Sequence, residues 1–357
     1  MNSSTSLAHG KLNLTLRIVG RLENGFHLLQ TLLCPLELAD EIELSVGAGS
    51  GEVELDCELT ADLRHHMSHL VRSDEQLSVL SNPQENLVGK AAALFLKRTS
   101  FGSSKRVQIR LRKRLPLAAG LGGGSADAAC VLVELNRLTG NTLSLSELRD
   151  LGAQIGSDVP ALLARELAFS FGRGEHVLQF TKDELEAFRP LEELGVVLVK
   201  PPFGIPARVA YERFDERTPF SAFSDWSDYQ RGSPNAAGEE RERLIGLAQA
   251  WFKRLKKHDT TSGAYRLQWD EDIFYSFTQL LCNDLTAPVF SLYPAMGVIQ
   301  RALFDHGVRS TLLVGSGSTV AGFTPSHDIA TSVTEQLRNV LGPGTFLRST
   351  RFVVSLP

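Results

Sequence analysis

Pro116-Leu117-Ala118-Ala119-Gly120-Leu121-Gly122-Gly123-Gly124-Ser125-Ala126-Asp127-Ala128-Ala129 sets four glycines and a serine just ahead of an apolar helix. Upstream, Val107, Ile109 and Leu111 alternate with Gln108, Arg110 and Arg112, the pattern of a half-buried strand. Downstream, Ala128, Val131, Leu132, Leu135 and Leu138 recur at helical spacing. A glycine loop between strand and helix is a phosphate cradle: glycine lets the backbone approach an anion, and the first helical turn offers unpaired N–H groups at the positive end of the dipole. Two familiar phosphate loops are excluded by the letters. A Walker loop needs Lys after its last glycine, where this chain has Ser125. The dinucleotide pattern needs glycine at its sixth place, which is Ser125 counted from Gly120 and Asp127 counted from Gly122. A flexible linker is the remaining alternative, and the tight strand and helix flanks argue against it.

Pro-x-x-x-Gly-Leu-Gly-x-x-Ser-Ala resembles the second motif of the GHMP kinases, the small-molecule kinases that include galactokinase, homoserine kinase and mevalonate kinase. Further landmarks run in the family's order over nearly the whole chain: Gly10-Lys11-Leu12-Asn13-Leu14, Gly20-Arg21, Gly25-Phe26-His27 with Gln30-Thr31, Glu85-Asn86-Leu87-Val88, Gly156-Ser157-Asp158-Val159-Pro160, Gly172-Arg173-Gly174-Glu175, Asn283-Asp284-Leu285 and Gly315-Ser316-Gly317-Ser318-Thr319. The amino-terminal block and the Asp158 block narrow the resemblance to the branch whose acceptor is a cytidine diphosphate methylerythritol, in isoprenoid precursor synthesis by the non-mevalonate route.

The resemblance implies an α+β fold in two domains, a ribosomal-protein-S5-like N-terminal domain and a ferredoxin-like C-terminal domain, with the reaction in a cleft between them. It implies ATP as donor, Mg2+ as its counterion, and phosphorylation of the acceptor's 2-hydroxyl. ATP binding falls to Pro116, Leu117, Ala118, Ala119, Gly120, Leu121, Gly122, Gly123, Gly124, Ser125 and Ala126, with Asn86 near the adenine. The Ser125 hydroxyl could reach the β-phosphate or the magnesium, and it could equally cap the helix. Asn86 before Leu87-Val88 also reads as a plain cap.

For chemistry, the resemblance makes Asp158 the base facing the acceptor hydroxyl and Lys11 its partner, easing the negative charge on the reacting oxygen. Read without it, Ser157 or Asp158 before Val159-Pro160 is as well explained by helix capping, and Lys11 by a solvated strand residue. Phe26 is expected to stack on the pyrimidine and His27 to meet the base edge, a core aromatic being the alternative for Phe26. The family commonly carries tyrosine at the Phe26 position, so a hydrogen bond through that hydroxyl is lost here. Asn13 is expected at the methylerythritol end. The Gly315–Thr319 run resembles the third superfamily motif and also reads as a hairpin turn. The competing functions are another GHMP small-molecule kinase and a catalytically silent ligand-binding relative. Intact Lys11, Asp158 and glycine loop speak against the silent one.

At 357 residues with 43% hydrophobic content the chain can bury a large core and most naturally divides in two. A formal charge of -4 gives no general attraction to nucleic acid or anionic membrane. Cys34, Cys57, Cys130 and Cys282 lack a paired metal spacing and read as reduced thiols. The first residues lack a basic start and an apolar core, and no apolar run is long enough to span a bilayer, so the expectation is a cytoplasmic protein, monomer or homodimer.

Leu12, Leu14, Leu16 and Ile18 predict a strand that puts Lys11, Asn13, Thr15 and Arg17 on an opposite, polar face. Ile42, Leu44 and Val46 predict another strand, Asn86 to Lys97 a helix, and Ser144 with Glu147 a capping box after the stop at Gly140. Val196 to Val199 and Phe352 to Val354 read as further strands. The N-terminal domain is expected over 1–190 and the C-terminal domain over 191–357, with an insertion at about 214–268. In it Leu244, Leu247, Ala248, Trp251 and Leu255 form one helical stripe, expected to pack on the second domain, with a partner-binding helix as the alternative. A shorter extra segment near 59–81 holds His65, His66 and His69. No acidic or cysteine ligand completes a set with them, so no metal site is expected.

Overall fold

The structure is a computed structural model that describes residues 2–67, 80–101, 104–218, 222–254, 256–259, 265–269 and 271–356. It is an α+β protein. Contacts group the chain into two units, Met1–Lys11, Leu38–Leu117 and Leu121–Arg165 forming one, and Leu12–Glu37, Ala118–Gly120 and Glu166–Pro357 the other. That partition follows contacts, and the division of the chain near Leu191 into successive domains stands beside it as a proposal.

Two long strands, β1 (Asn2–Leu22) and β2 (His27–Ala48), run through residues of both units. In the first unit β2 pairs antiparallel with β4 (Lys105–Lys113), Leu44 facing Ile109, and β4 pairs parallel with β3 (Val53–Leu59). The alternation along β4 works as expected: Val107, Ile109 and Leu111 are buried, and Arg110 and Arg112 are exposed. On the outer face, Arg106 pairs with Glu54, Arg110 with Glu43 and Asp56, and Arg112 with Glu58. Such exposed pairs add solubility more than stability. The inner face packs under helices α2 (Leu87–Arg98), α3 (Gly123–Leu138), α4 (Leu145–Ile155) and α5 (Val159–Leu162) around Phe95, Val131, Leu135 and Leu151. A short helix, α1 (Ala61–Met67), follows β3. The Ser144 capping box is complete: Ser144 accepts from the Glu147 N–H while Glu147 accepts from the Ser144 N–H.

In the second unit an antiparallel sheet runs in the order β12 (Ser310–Leu313), β13 (Val320–Thr324), β7 (Gly195–Lys200), β14 (Phe346–Arg351). Every residue of β7 is buried, as its Gly-Val-Val-Leu-Val-Lys run predicts for a central strand. Val197 and Val199 pack against Met296, Ile299, Ala330 and Val333 of helices α12 (Ala295–Asp305) and α13 (His327–Leu337). The same unit holds β5 (Ala168–Gly172), β6 (His176–Leu178), β8 (Ala222–Phe223), β9 (Lys256–Asp259), β10 (Tyr265–Gln268) and β11 (Cys282–Asn283). It also holds α6 (Lys182–Phe188), α7 (Ala207–Asp215), α8 (Trp226–Gly232), α9 (Ala236–Arg254), α10 (Glu271–Thr278) and α11 (Thr286–Leu292).

Three expectations need correction. The alternative of Lys11 as a solvated strand residue fails: Lys11 is 4% exposed, and Asn13 and Thr15 on the same face are buried too, while Arg17 is exposed. The last strand lies over Phe346–Arg351, and Phe352 makes only an isolated bridge to Leu36. Gly123, Gly124 and Ser125 are not ahead of the helix but form its first turn, with Gly122 as N-cap.

Residues 214–268, expected as an insertion, contain α8 and α9. On α9, Leu244, Ala248 and Trp251 are buried. Trp251 meets Trp269 and Phe277, and Arg241 reaches Glu184 at 2.6 Å and covers the Phe180 ring at 5.0 Å. The stripe packs within its own unit; Leu255 lies outside the described residues. His69 also lies outside them, and His66 pairs with Asp62 at 3.2 Å.

Candidate active site

The glycine loop owes its shape to backbone conformations that side chains resist. Gly120 and Gly122 have φ of 76° and 67°, and Ala118 bends the entry with φ of 50°. A Cβ at Gly122 would stand 2.8 Å from Lys11 Cε, and one at Gly120 would stand 2.0 Å from the Val314 carbonyl oxygen. Glycine is therefore required at both places. The first helical bond runs from the Ala126 N–H to the Gly122 carbonyl, so the N–H groups of Gly123, Gly124 and Ser125 stand ahead of it at the positive end of the helix. Ser125 is the third helical residue and does not cap.

Lys11 lies alongside this loop, its N–H donating to the Leu121 carbonyl at 2.9 Å. Its ammonium stands 3.1 Å from Asp158 Oδ2, with the lysine side chain 4% exposed and the aspartate 33% exposed. Asp158 occupies the N-cap position of α5 yet makes no side-chain cap bond, so its carboxylate is turned to Lys11. The structure thus brings Lys11, Asp158 and the loop residues Leu121 to Ala126 together within one unit.

Beneath the loop lies a buried triad that carries no motif in the sequence. Lys113, on the inward face of β4 two residues beyond Leu111, bonds Asp127 at 2.6 Å and also Asp40. Asp40 accepts in addition from the Arg114 and Leu115 N–H groups, whereas Asp127 Oδ1 has no hydrogen-bond partner among the described residues. Burial beside a second carboxylate pushes the Asp127 pKa up to about 8. With Asp127 spent on Lys113 at 2% exposure, it is not placed to hold a metal. The period of two along β4 is the one signal in the letters for an inward Lys113.

In the second unit, Asn13 donates to Thr31 Oγ1 at 2.8 Å, and a Cβ at Gly315 would come within 3.5 Å of Asn13 Oδ1. Phe26 is no core residue: it is 55% exposed, with the Arg173 guanidinium 5.6 Å from its ring centre. His27 Nε2 lies 2.6 Å from Asp215 Oδ1, and its ring stacks on Tyr211 at 4.7 Å. Asp215 and Tyr211 come from α7 and carry no motif signal. Asn86 is a cap: its Oδ1 accepts from the Val88 N–H at 3.0 Å and its Nδ2 donates to the Leu80 carbonyl at 2.7 Å. The Gly315–Thr319 run joins β12 to β13 as a turn, and Asn283 Nδ2 holds it by donating to the Leu313 and Gly315 carbonyls, both at 2.7 Å.

Strand, glycine loop and helix, with a Lys–Asp pair beside the loop, define a GHMP kinase. Family models agree: GHMP kinases N terminal domain matches residues 86–166, and GHMP kinases C terminal matches residues 272–342. The chain is 33% identical over 334 residues to 4-diphosphocytidyl-2-C-methyl-D-erythritol kinase of Pelotomaculum thermopropionicum, covering 94% of this chain and 93% of that one. It is 31% identical to the protein of that name from a Synechococcus species, over 95% of this chain and 90% of the relative. The fold matches a crystal structure of 4-(cytidine 5'-diphospho)-2C-methyl-D-erythritol kinase with a TM-score of 0.63 at 24% identity, over 98% of this chain and 99% of that one. It also matches homoserine kinase from Cytophaga hutchinsonii with a TM-score of 0.62 at 13% identity, over 99% and 96%. The chain belongs to the family of 4-diphosphocytidyl-2-C-methyl-D-erythritol kinases.

Proposed function

We propose that this chain transfers the γ-phosphoryl group of ATP to the 2-hydroxyl of 4-diphosphocytidyl-2-C-methyl-D-erythritol, giving the 2-phosphate, in the non-mevalonate route to isoprenoid precursors. The observation that carries the chemistry is the Lys11–Asp158 pair, 3.1 Å apart, beside the loop whose amides open the helix. Phosphoryl transfer asks the protein mainly to position its reactants and to offset charge. The amides of Gly123, Gly124 and Ser125 hold the phosphate chain, Asp158 accepts or aligns the hydroxyl proton, and Lys11 orients that carboxylate.

Magnesium fits as a companion of the nucleotide. Among the described residues no group of three or more His, Cys, Asp or Glu forms a metal cage, and Mg2+ in such sites is held largely by substrate phosphates and water. When bound, it neutralises charge on the phosphate oxygens.

For the acceptor, the exposed Phe26 ring supplies a stacking face. With Nε2 of His27 engaged by Asp215, contact with the base edge falls to Nδ1. Asn13 serves the methylerythritol end. Phe26→Ala is expected to raise the acceptor KM about tenfold, the scale of losing one base–aromatic stack, while Phe26→Tyr preserves it. Steady-state kinetics at saturating ATP reads both. We further propose a cytoplasmic enzyme, monomer or homodimer, without nucleic-acid or membrane partners. Its charge of -4 supports this, as does the lack among the described residues of any helix long and apolar enough to cross a membrane.

The reading is tested by incubating purified protein with ATP, magnesium and the cytidine diphosphate methylerythritol, following ADP release and the new phosphate by 31P NMR. A monoester at position 2, with no turnover of homoserine or mevalonate, is expected. Equal turnover of those acceptors, or none of any, contradicts it.

A further inference from the structure

Lys200 ends β7 with its side chain buried, 2% exposed. Among the described residues no carboxylate stands within ion-pair distance, and its Nζ instead donates to the carbonyls of Pro201 and Phe203, both at 3.1 Å. A buried ammonium without an acid is costly, so a lysine kept there calls for a reason.

The carbonyls it holds belong to a junction of three loops, all in the second unit. The Phe203 carbonyl accepts a second bond, from Ser318 Oγ at 2.5 Å, in the Gly315–Thr319 turn. A Cβ at Gly204 would stand 2.9 Å from the Ala118 Cβ, at the entry of the glycine loop. Gly120 is seated so closely under the Val314 carbonyl that no side chain fits, and a Cβ at Gly317 would stand 3.3 Å from Ile205 Cδ1. Displacing the Pro201–Ile205 turn therefore displaces the bed on which Ala118 to Gly120 rest.

We propose that Lys200 is a positioning residue for nucleotide binding: as an ammonium it fixes the Pro201–Phe203 carbonyls and, through them, the seat of the glycine loop. The inference rests on the reading of that loop as the ATP site. Burial pulls the Lys200 pKa down to about 8, so the clamp is at full strength below that value and lost above it, since a neutral amine is a weaker donor.

Lys200 has the titratable Arg348 of β14 and Tyr293 beside the Pro201–Phe203 turn in its surroundings. Its cross-strand neighbour is Phe346, and Arg348 follows two residues on with its guanidinium 5.8 Å from that ring. Tyr293 stacks on Phe203 at 5.7 Å. Ala210 and Phe214 of α7, Val289 of α11, and Ala330 and Val333 of α13 pack in the cluster of Val197 and Val199, on the opposite face of β7 from Lys200.

The test is KM for ATP, KM for the acceptor and kcat from pH 6.5 to 9.5 for wild type, Lys200→Arg and Lys200→Met. In wild type the ATP KM is expected to rise about tenfold through a midpoint near 8, the scale of losing one charged hydrogen bond, with the acceptor KM level. Lys200→Arg stays charged and should lose that limb. Lys200→Met should show the raised ATP KM at every pH. An alkaline limb that persists in Lys200→Arg overturns the proposal, and that comparison stands even where Lys200→Met does not fold. So does an unchanged ATP KM in folded Lys200→Met at pH 7. Failure of wild type to bind ATP at pH 7 would instead overturn the kinase reading, and this inference with it.

Discussion

Asp158→Asn is expected to lower kcat by about 10²- to 10⁴-fold, the contribution of a positioned acid–base group, with the ATP KM nearly unchanged. The substitution keeps shape and removes the charge that faces Lys11 at 3.1 Å. No side-chain cap of α5 is lost, because Asp158 makes none, so a fall in rate cannot be assigned to helix fraying. In the proposed reading ATP is held by main-chain amides that the change does not touch, which is why kcat and KM should part. Lys11→Met acts on the same pair from the other side, and its effect should be strongly non-additive with Asp158→Asn, as expected of residues acting as a unit. Steady-state kinetics of the two single variants and the double variant at saturating acceptor checks this. Near-normal kcat in Asp158→Asn removes the aspartate from the chemistry.

Lys113→Met is expected to cost about 3–5 kcal/mol of stability, because it leaves the Asp40 carboxylate buried without its cation, joined above pH 8 by that of Asp127. Asp40 is 0% and Asp127 2% exposed, so neither can turn to water without opening the core under α3. The same triad gives stability a pH dependence whose sign follows from the proton count. The Asp127 pKa is raised in the fold, to about 8 from an unfolded value near 3.9, so the folded state binds the extra proton. That contribution is whole below the unfolded value and is lost as pH rises through the folded one. Wild type should therefore lose stability between pH 4 and 8 from this group, and Asp127→Asn, which is neutral throughout, should lack that slope. Lys113 itself stays charged over this range, held by Asp127 and Asp40. Urea unfolding at pH 6 and pH 8.5 measures both effects. Equal stability of Lys113→Met and wild type, or a slope unchanged in Asp127→Asn, contradicts this picture.

Much of this architecture is legible in the residues. The period of two along β4 and the helical spacing from Ala128 place strand, loop and helix correctly, and Ser144 with Glu147 forms the capping box its letters describe. Local patterns of this kind are set by neighbours in sequence. What escapes such patterns depends on partners distant in sequence. Alternation along β1 puts Lys11, Asn13 and Thr15 on one face, but whether that face meets water is decided by covering elements that the strand's own letters do not encode. Tyr211 and Asp215 reach His27 from far along the chain, Asp215 across a separation of 188 residues. Asn86 shows the opposite case: its capping geometry is local and readable, and it occupies both ends of the amide that the resemblance directs toward adenine. Lys113 and Lys200 each extend an apolar strand by one inward position, a pattern that signals a buried lysine without naming what it faces.

The most direct test is a crystal structure of the protein with a non-hydrolysable ATP analogue and the cytidine diphosphate methylerythritol bound together. The expected result has the analogue's phosphates on the N–H groups of Gly123 to Ser125 and the acceptor 2-hydroxyl within about 2.6–3.2 Å of an Asp158 carboxylate oxygen, in line with the γ-phosphorus. A triphosphate seated elsewhere, or an acceptor hydroxyl remote from Asp158, would contradict the account.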